Sequence, residues 1–326
     1  MKRDRRSANI RPPALVLTIA LAVAATCAVA GCAPGEGAPT AVAKGPGLHS
    51  EPISFDRTGH AGHVVTKLLV VVLENHSFDQ MAAEMPFLRR LATRYAYASN
   101  YHASLANSLP NYLIMIGGAP MGQPNNLPPP DRPVYGTSVF GQALRAGRTV
   151  KVYVEGMPSP CATQNGGDDY VVRHNPWAYF VDERSACVSD EVPPSSLVRD
   201  AADGRLPNAG MVVPNLEHDA HNGTLAQADH WLAPRLSAVL RGPDWRSGRL
   251  AIVVTADEDD GAHGERVLTV VASRYAGRGV VTAPLDHYSV ARLYDEVLGL
   301  PPLRDAVSAT SMARAFGIPV RRSTTR

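Results

Sequence analysis

Residues 67–79 read KLLVVVLENHSFD. From position 67 to 73 the run is continuous, apolar after its first residue and rich in β-branched valine, which predicts a buried strand. Similar runs lie at 149–154, 211–213, 250–255 and 267–272. Between them fall helical patterns at 86–95, 110–116, 137–146, 224–240 and 287–298, with proline near the start and glycine just beyond the end of several. Strands alternating with helices predict an α/β sheet covered on both faces. No internal repeat and no second core is evident, so one domain is expected over residues 60–318.

In such sheets, ligands bind beyond the carboxyl ends of the strands, and polar residues concentrate there in this chain. The first strand runs into Glu74 and Asn75, and the strand at 250–255 leads into Asp257, Glu258, Asp259 and Asp260. Oxygen donors suit a hard divalent cation, and consecutive carboxylates are relieved by one, the alternative being an exposed acidic turn. Between them lies SLPNY, residues 108–112, where Pro110 opens a helix and Ser108 falls at or near its N-cap. That position is an anion site as well as a place for a capping serine. A further stretch, PNLEHDAHNG at 214–223, places Asp219, His218 and His221 after a short strand; His174 and His287 complete the candidates. These imidazoles suit a metal, a phosphate oxygen or a leaving group, or structural hydrogen bonds.

Outside this region, residues 1–11 hold five cations and one anion, followed by an apolar run from 14 to 30. The pattern predicts a signal peptide over 1–31. Val29-Ala30-Gly31-Cys32 resembles a bacterial lipobox, making Cys32 the expected lipidated N-terminus, with an uncleaved membrane anchor as the alternative. Residues 32–59, rich in Ala, Gly and Pro early on, are expected to be a flexible tether, and 319–326 a basic C-terminal tail. The chain would thus be exported, lipid-anchored to the outer face of the cytoplasmic membrane or released. Cys161 and Cys187 are the cysteines left in the body, and an oxidising compartment predicts their pairing, two free thiols being the alternative.

Charge supports the same division. The 326 residues carry 32 cations and 30 anions, a formal +2; without residues 1–31, five cations and one anion fewer, the remainder is −2. No Lys/Arg cluster outside the termini marks a nucleic-acid partner. With 45% hydrophobic and 19% charged residues, the chain is not wholly disordered.

Taken in order, LENHSFD (73–79), SLPNY (108–112), YVEGMPSPC (153–161), RHNPWAYF (173–180), PNLEHDAHNGTLAQADHWL (214–232), VVTADEDDG (253–261) and DHYSVARLYDEVLGL (286–300) resemble the bacterial phosphoesterase family of secreted acid phosphatases and phospholipases C. Within it the resemblance is nearest to the actinobacterial secreted acid phosphatases. It implies a three-layer αβα sandwich around a mostly parallel, alkaline-phosphatase-like sheet. It also implies a divalent ion (Ca, Mg, Mn or Zn) held by Glu74, Asn75, Asp257 and Glu258, with Ser108 as nucleophile. His221, His287, Asp219 and His174 would bind phosphate or protonate the leaving group. The implied activity is phosphomonoester hydrolysis, phosphoinositide headgroups included; the alternatives are a phospholipase C-type diesterase and a non-catalytic surface lipoprotein that binds a phosphorylated ligand. The chain departs from the family's pattern at Ala106-Asn107, where His-Pro is frequent, at Ala256, where Trp is usual, and at Asn222, which replaces a frequent Asp.

Overall fold

The computed structural model describes residues 48, 51–54 and 62–321. The expected signal peptide, Cys32, most of the tether and the end of the basic tail lie outside the described residues.

Eight strands form one sheet: β1 (Lys67–Leu73), β2 (Ala96–Ala98), β3 (Val150–Val154), β4 (Glu191–Val192), β5 (Ala209–Val213), β6 (Leu250–Ala256), β7 (Thr269–Ser273) and β8 (Gly279–Val281). Their order is β4-β3-β5-β1-β6-β7-β2-β8. β7 runs antiparallel to both of its neighbours, and the other pairings are parallel. β1 sits at the centre and is buried along its length after Lys67, whose ammonium pairs with Asp244 at 2.7 Å. Such burial requires cover on both faces, and each fully buried Val or Leu contributes about 1.5–3 kcal/mol.

The cover comes from two sets of helices. Ser108–Gly117, Val139–Arg145 and His287–Leu298 pack on one another, with contacts to β1, β3 and β5. Pro86–Arg94, Ser195–Ala202, Leu225–Arg241 and Pro243–Arg246 form the other set, with contacts to β6 and β7. The α/β fold around a mostly parallel sheet is therefore as expected.

Two boundaries differ from the sequence reading. Residues 51–54, placed in the tether, bridge to the edge strand β8: Ile53 N–H donates to Val280 O at 3.0 Å and Val280 N–H to Glu51 O at 2.9 Å. An edge strand presents unpaired backbone groups, and this segment satisfies part of them while Ile53 packs against the core. At the other end, Pro319 O accepts from Val65 N–H at 2.7 Å and Val320 packs on the core, so the first residues of the expected tail belong to the body.

Candidate active site

Register assembles the site. β1 and β6 pair with Leu73 opposite Ala256, so the next residue on each strand, Glu74 and Asp257, emerge side by side. Asp257 N–H donates to Leu73 O at 3.0 Å, tying the end of β6 to β1, and Glu74 N–H donates to Asp219 O at 2.9 Å, tying the end of β1 to the loop after β5. The backbone then turns at Asn75 with φ +51°, a left-handed conformation that Asn tolerates better than most side chains. Its N–H donates to Asp257 Oδ1 at 3.3 Å, and Glu258 N–H donates to the same oxygen at 2.7 Å.

Ser108 arrives from a separate element. The helix expected at 110–116 starts earlier, at Ser108, after Asn107 in extended conformation, and closes on Gly118 in the left-handed conformation. Ser108 is therefore the first helical residue rather than the cap. Its hydroxyl lies 3.4 Å from both Glu74 Oε2 and Glu258 Oε1. One turn on, Tyr112 donates to Glu74 Oε1 at 2.5 Å. Ser104, also in this segment, has no such carboxylate partners; its hydroxyl is buried without a hydrogen bond.

The carboxylates are crowded together out of water. Burial, then the charges of Asp257 and Asp219, push the Glu74 carboxyl well above its usual range. Burial raises Asp257 and Asp219 each to about 7, and burial with the Asp257 charge raises Glu258 to about 8. Three buried oxygens, Asn75 Oδ1, Asp257 Oδ2 and Glu258 Oε2, have no hydrogen-bond partner. Orphaned buried acceptors are costly, and oxygen donors of this kind suit a divalent metal, which would also relieve the like-charge repulsion.

The histidines divide differently from the expectation. His174 is buried, with Nδ1 3.1 Å from Asp219 Oδ2 and Nε2 3.3 Å from Glu74 Oε2. Burial, then Arg173 and His221, hold its pKa well below the ordinary value. The ring stands between two carboxylates, and Glu74, His174 and Asp219 form a group of convergent metal donors. His287 is equally buried: Nε2 donates to Asp257 O at 2.5 Å and Nδ1 accepts from the Tyr101 hydroxyl at 2.7 Å. Burial lowers it to about 4. Both ring nitrogens of His287 are engaged inside the protein, on the Asp257 carbonyl and the Tyr101 hydroxyl.

His221 is half-buried; Arg173 Nη2 donates to its Nε2 at 3.0 Å, and its Nδ1 donates to Asn222 Oδ1 at 2.9 Å. Arg173, Tyr112 and Tyr101 were not singled out from the sequence; Arg173 stood beside a chosen histidine and Tyr112 closed the SLPNY stretch, while nothing in the pattern marks Tyr101. His218 lies elsewhere, paired with Glu155 at 3.0 Å. The exposed His102 bonds to Gly264 O at 2.8 Å. In the acidic turn, Asp259 accepts from the backbone of Gly261, His263 and Glu265, which makes it a turn organiser. Cys161 and Cys187 form a disulfide across a separation of 26 residues.

A central strand ending in a carboxylate and an amide, an acidic neighbour in register and a serine at a helix start thus meet at one end of the sheet. Comparisons with known proteins show the class of enzyme, a hydrolase of phosphoric ester bonds. Residues 81–301 match the phosphoesterase family, and the chain belongs to it. It is similar to a phosphatidylinositol-3-phosphatase of Mycobacterium tuberculosis, 28% identical over 77% of this chain and 82% of that one. It is also similar to a phosphate-repressible acid phosphatase of Penicillium chrysogenum, 24% identical over 81% of this chain, and spans 64% of that protein's length. Among solved structures, an alkaline-phosphatase-superfamily protein from Vibrio parahaemolyticus shares the fold, with 10% identity, a TM-score of 0.51 and coverage of 82% of this chain and 74% of that one.

Proposed function

We propose that the chain is an exported, metal-assisted phosphomonoesterase in which Ser108 is the nucleophile. The observation that carries this reading is the Ser108 hydroxyl between Glu74 and Glu258, beside three orphaned buried oxygens on Asn75, Asp257 and Glu258.

A divalent ion held by Glu74, Asn75, Asp257 and Glu258, when bound, neutralises phosphoryl charge and acidifies the serine hydroxyl. Glu258 Oε1 takes the proton of Ser108 Oγ as that oxygen attacks phosphorus in line. The bond to the leaving alcohol breaks on the opposite side and leaves a phosphoserine. Arg173, hydrogen-bonded to His221, binds the phosphoryl oxygens at the mouth of the site, and solvent water protonates the departing oxygen. Water then attacks phosphorus, the Ser108 Oγ–P bond breaks, Glu258 returns its proton to Oγ, and phosphate leaves with the proton of the water going to solvent. Tyr112 and His174 hold Glu74, and Tyr101 with His287 holds the Asp257 loop.

The signal-like N-terminus and the lipobox-like Cys32 support export and a lipid anchor, and the disulfide supports an oxidising compartment. The substrate class is a phosphate monoester, phosphoinositide headgroups included, in keeping with the name of the mycobacterial relative. The test is hydrolysis of p-nitrophenyl phosphate by the full chain, its suppression by chelator and its restoration by single ions. Hydrolysis that survives both chelation and Ser108→Ala would sink the proposal.

A further inference from the structure

Beside the reaction centre, Asn126, Pro128, Gln164, Asn165, Val172 and Arg173 line a cavity of about 170 Å³. Two contacts fix its chemistry. Asn126 Oδ1 accepts the N–H of Leu109, the residue after Ser108, at 3.0 Å. Asn165 Oδ1 accepts the N–H of Val172, the residue before Arg173, at 2.9 Å. An amide whose carbonyl is held in this way turns its NH2 to whatever else it meets. Arg173 has donors only, with one N–H spent on His221. Pro128 supplies no backbone donor, and Asn126, Gln164 and Asn165 are exposed, so the cavity opens to solvent. The fixed polar groups of the cavity are therefore donors around a guanidinium, which suits an acceptor-only, anionic group. The volume, well below the roughly 300 Å³ at which drug-sized pockets begin, has no room for an acyl chain.

We propose that this cavity is a subsite for a second phosphate on the substrate, remote from the one transferred to Ser108. The proposal rests on the phosphomonoesterase reading and adds that the preferred substrate is bisphosphorylated. The second group is either a free phosphomonoester or the diester phosphate that links a headgroup to lipid; both offer the anionic oxygens the donors require. Arg173 sits between the two positions, next to His221 on one side and in the cavity wall on the other.

The test uses Asn126→Asp and Asn165→Asp, singly and together, in the full chain. Aspartate keeps the oxygen that accepts from Leu109 or Val172 and replaces the NH2 donor by a repelling carboxylate, so the local fold is retained while the proposed contact is inverted. kcat/KM is measured on inositol 1,3-bisphosphate and on inositol 3-phosphate, which differ only by the second phosphate, and on micellar phosphatidylinositol 3-phosphate. Wild type is expected to favour the bisphosphate, and the ratio of the two soluble substrates to fall at least about tenfold in the double variant. Added negative charge lowers both rates, and the ratio cancels that common effect. A wild-type ratio near one, or a ratio that the variants leave unchanged, overturns the subsite. A loss confined to the micellar substrate also overturns it, because the residues would then be reading the lipid surface. Equal losses on the soluble bisphosphate and the micellar lipid show that both sources of the second phosphate are accepted. Failure of wild type to hydrolyse p-nitrophenyl phosphate or any of these esters would instead remove the phosphomonoesterase reading itself.

Discussion

Tyr112 donates its hydroxyl to Glu74 Oε1 at 2.5 Å, joining the helix that begins with Ser108 to the end of the central strand. Both side chains are fully buried, so the bond fixes the carboxylate against the serine and leaves Glu74 Oε2 facing Ser108 and His174. Partners of metal-binding carboxylates are worth roughly 10–100-fold in metal affinity or activity. Tyr112→Phe is predicted to weaken activation by divalent ion to that extent while the protein stays folded. An ion titration of phosphatase activity with the same midpoint as wild type would contradict this.

Asp257 places Oδ1 on two backbone N–H groups and leaves Oδ2 orphaned. Asparagine keeps the first function and removes the anionic ligand. The prediction for Asp257→Asn is loss of the thermal stabilisation that a saturating ion gives wild type, which is about 2.7 kcal/mol at an ion concentration 100 times Kd. Equal ion-induced shifts in melting temperature for both proteins would remove Asp257 from the ligand set.

The Cys161–Cys187 bond closes a loop that carries Arg173 and His174. Chain entropy predicts that replacing both cysteines with serine costs about 3 kcal/mol of stability. Denaturant midpoints compare the two proteins, and a double variant as stable as wild type would show that the surrounding hydrogen bonds suffice.

Asp295 gives a pH prediction away from the site. Burial pushes its carboxyl up to about 8, while an unfolded aspartate titrates near ~3.9. Between those values the native state holds a proton that the unfolded chain has released. Its contribution to stability is fully present below the lower value and is lost as pH rises through the upper one. Asp295→Asn keeps an acceptor for Leu303 N–H, now bonded at 3.0 Å, and has no proton to lose. The variant should exceed wild type in stability by more than about 1 kcal/mol at pH 8, with the gap closing toward pH 4. Melting curves at the two pH values decide it; a gap that widens toward pH 4 contradicts the assignment.

The parts of this molecule legible in its sequence are those where chemistry and register coincide. The valine run of β1 and the acids after β6 could be read separately, and their adjacency follows from the two strands being neighbours in register. β2, β4 and β8, of two or three residues each, are too short to show any periodicity. The roles of His174 and His287 were not legible, because a histidine's task depends on what surrounds it. Both are buried, and their partners Asp219, Glu74, Tyr101 and the Asp257 carbonyl lie 30 to 186 residues away for His287 and 45 or more for His174. Arg173 lay in plain view beside His174, but only the folded loop brings it to His221.

The central claim, nucleophilic attack by Ser108, is tested most directly by trapping the intermediate. The full chain with its ion is mixed with p-nitrophenyl phosphate, quenched in acid and digested, and the peptides are weighed. The account predicts one added phosphoryl group on the peptide carrying residues 108–112, located at Ser108 and absent from the Ser108→Ala protein, which also loses at least about 10³-fold in kcat. Phosphoryl label on another residue, or turnover undiminished in Ser108→Ala, would contradict it.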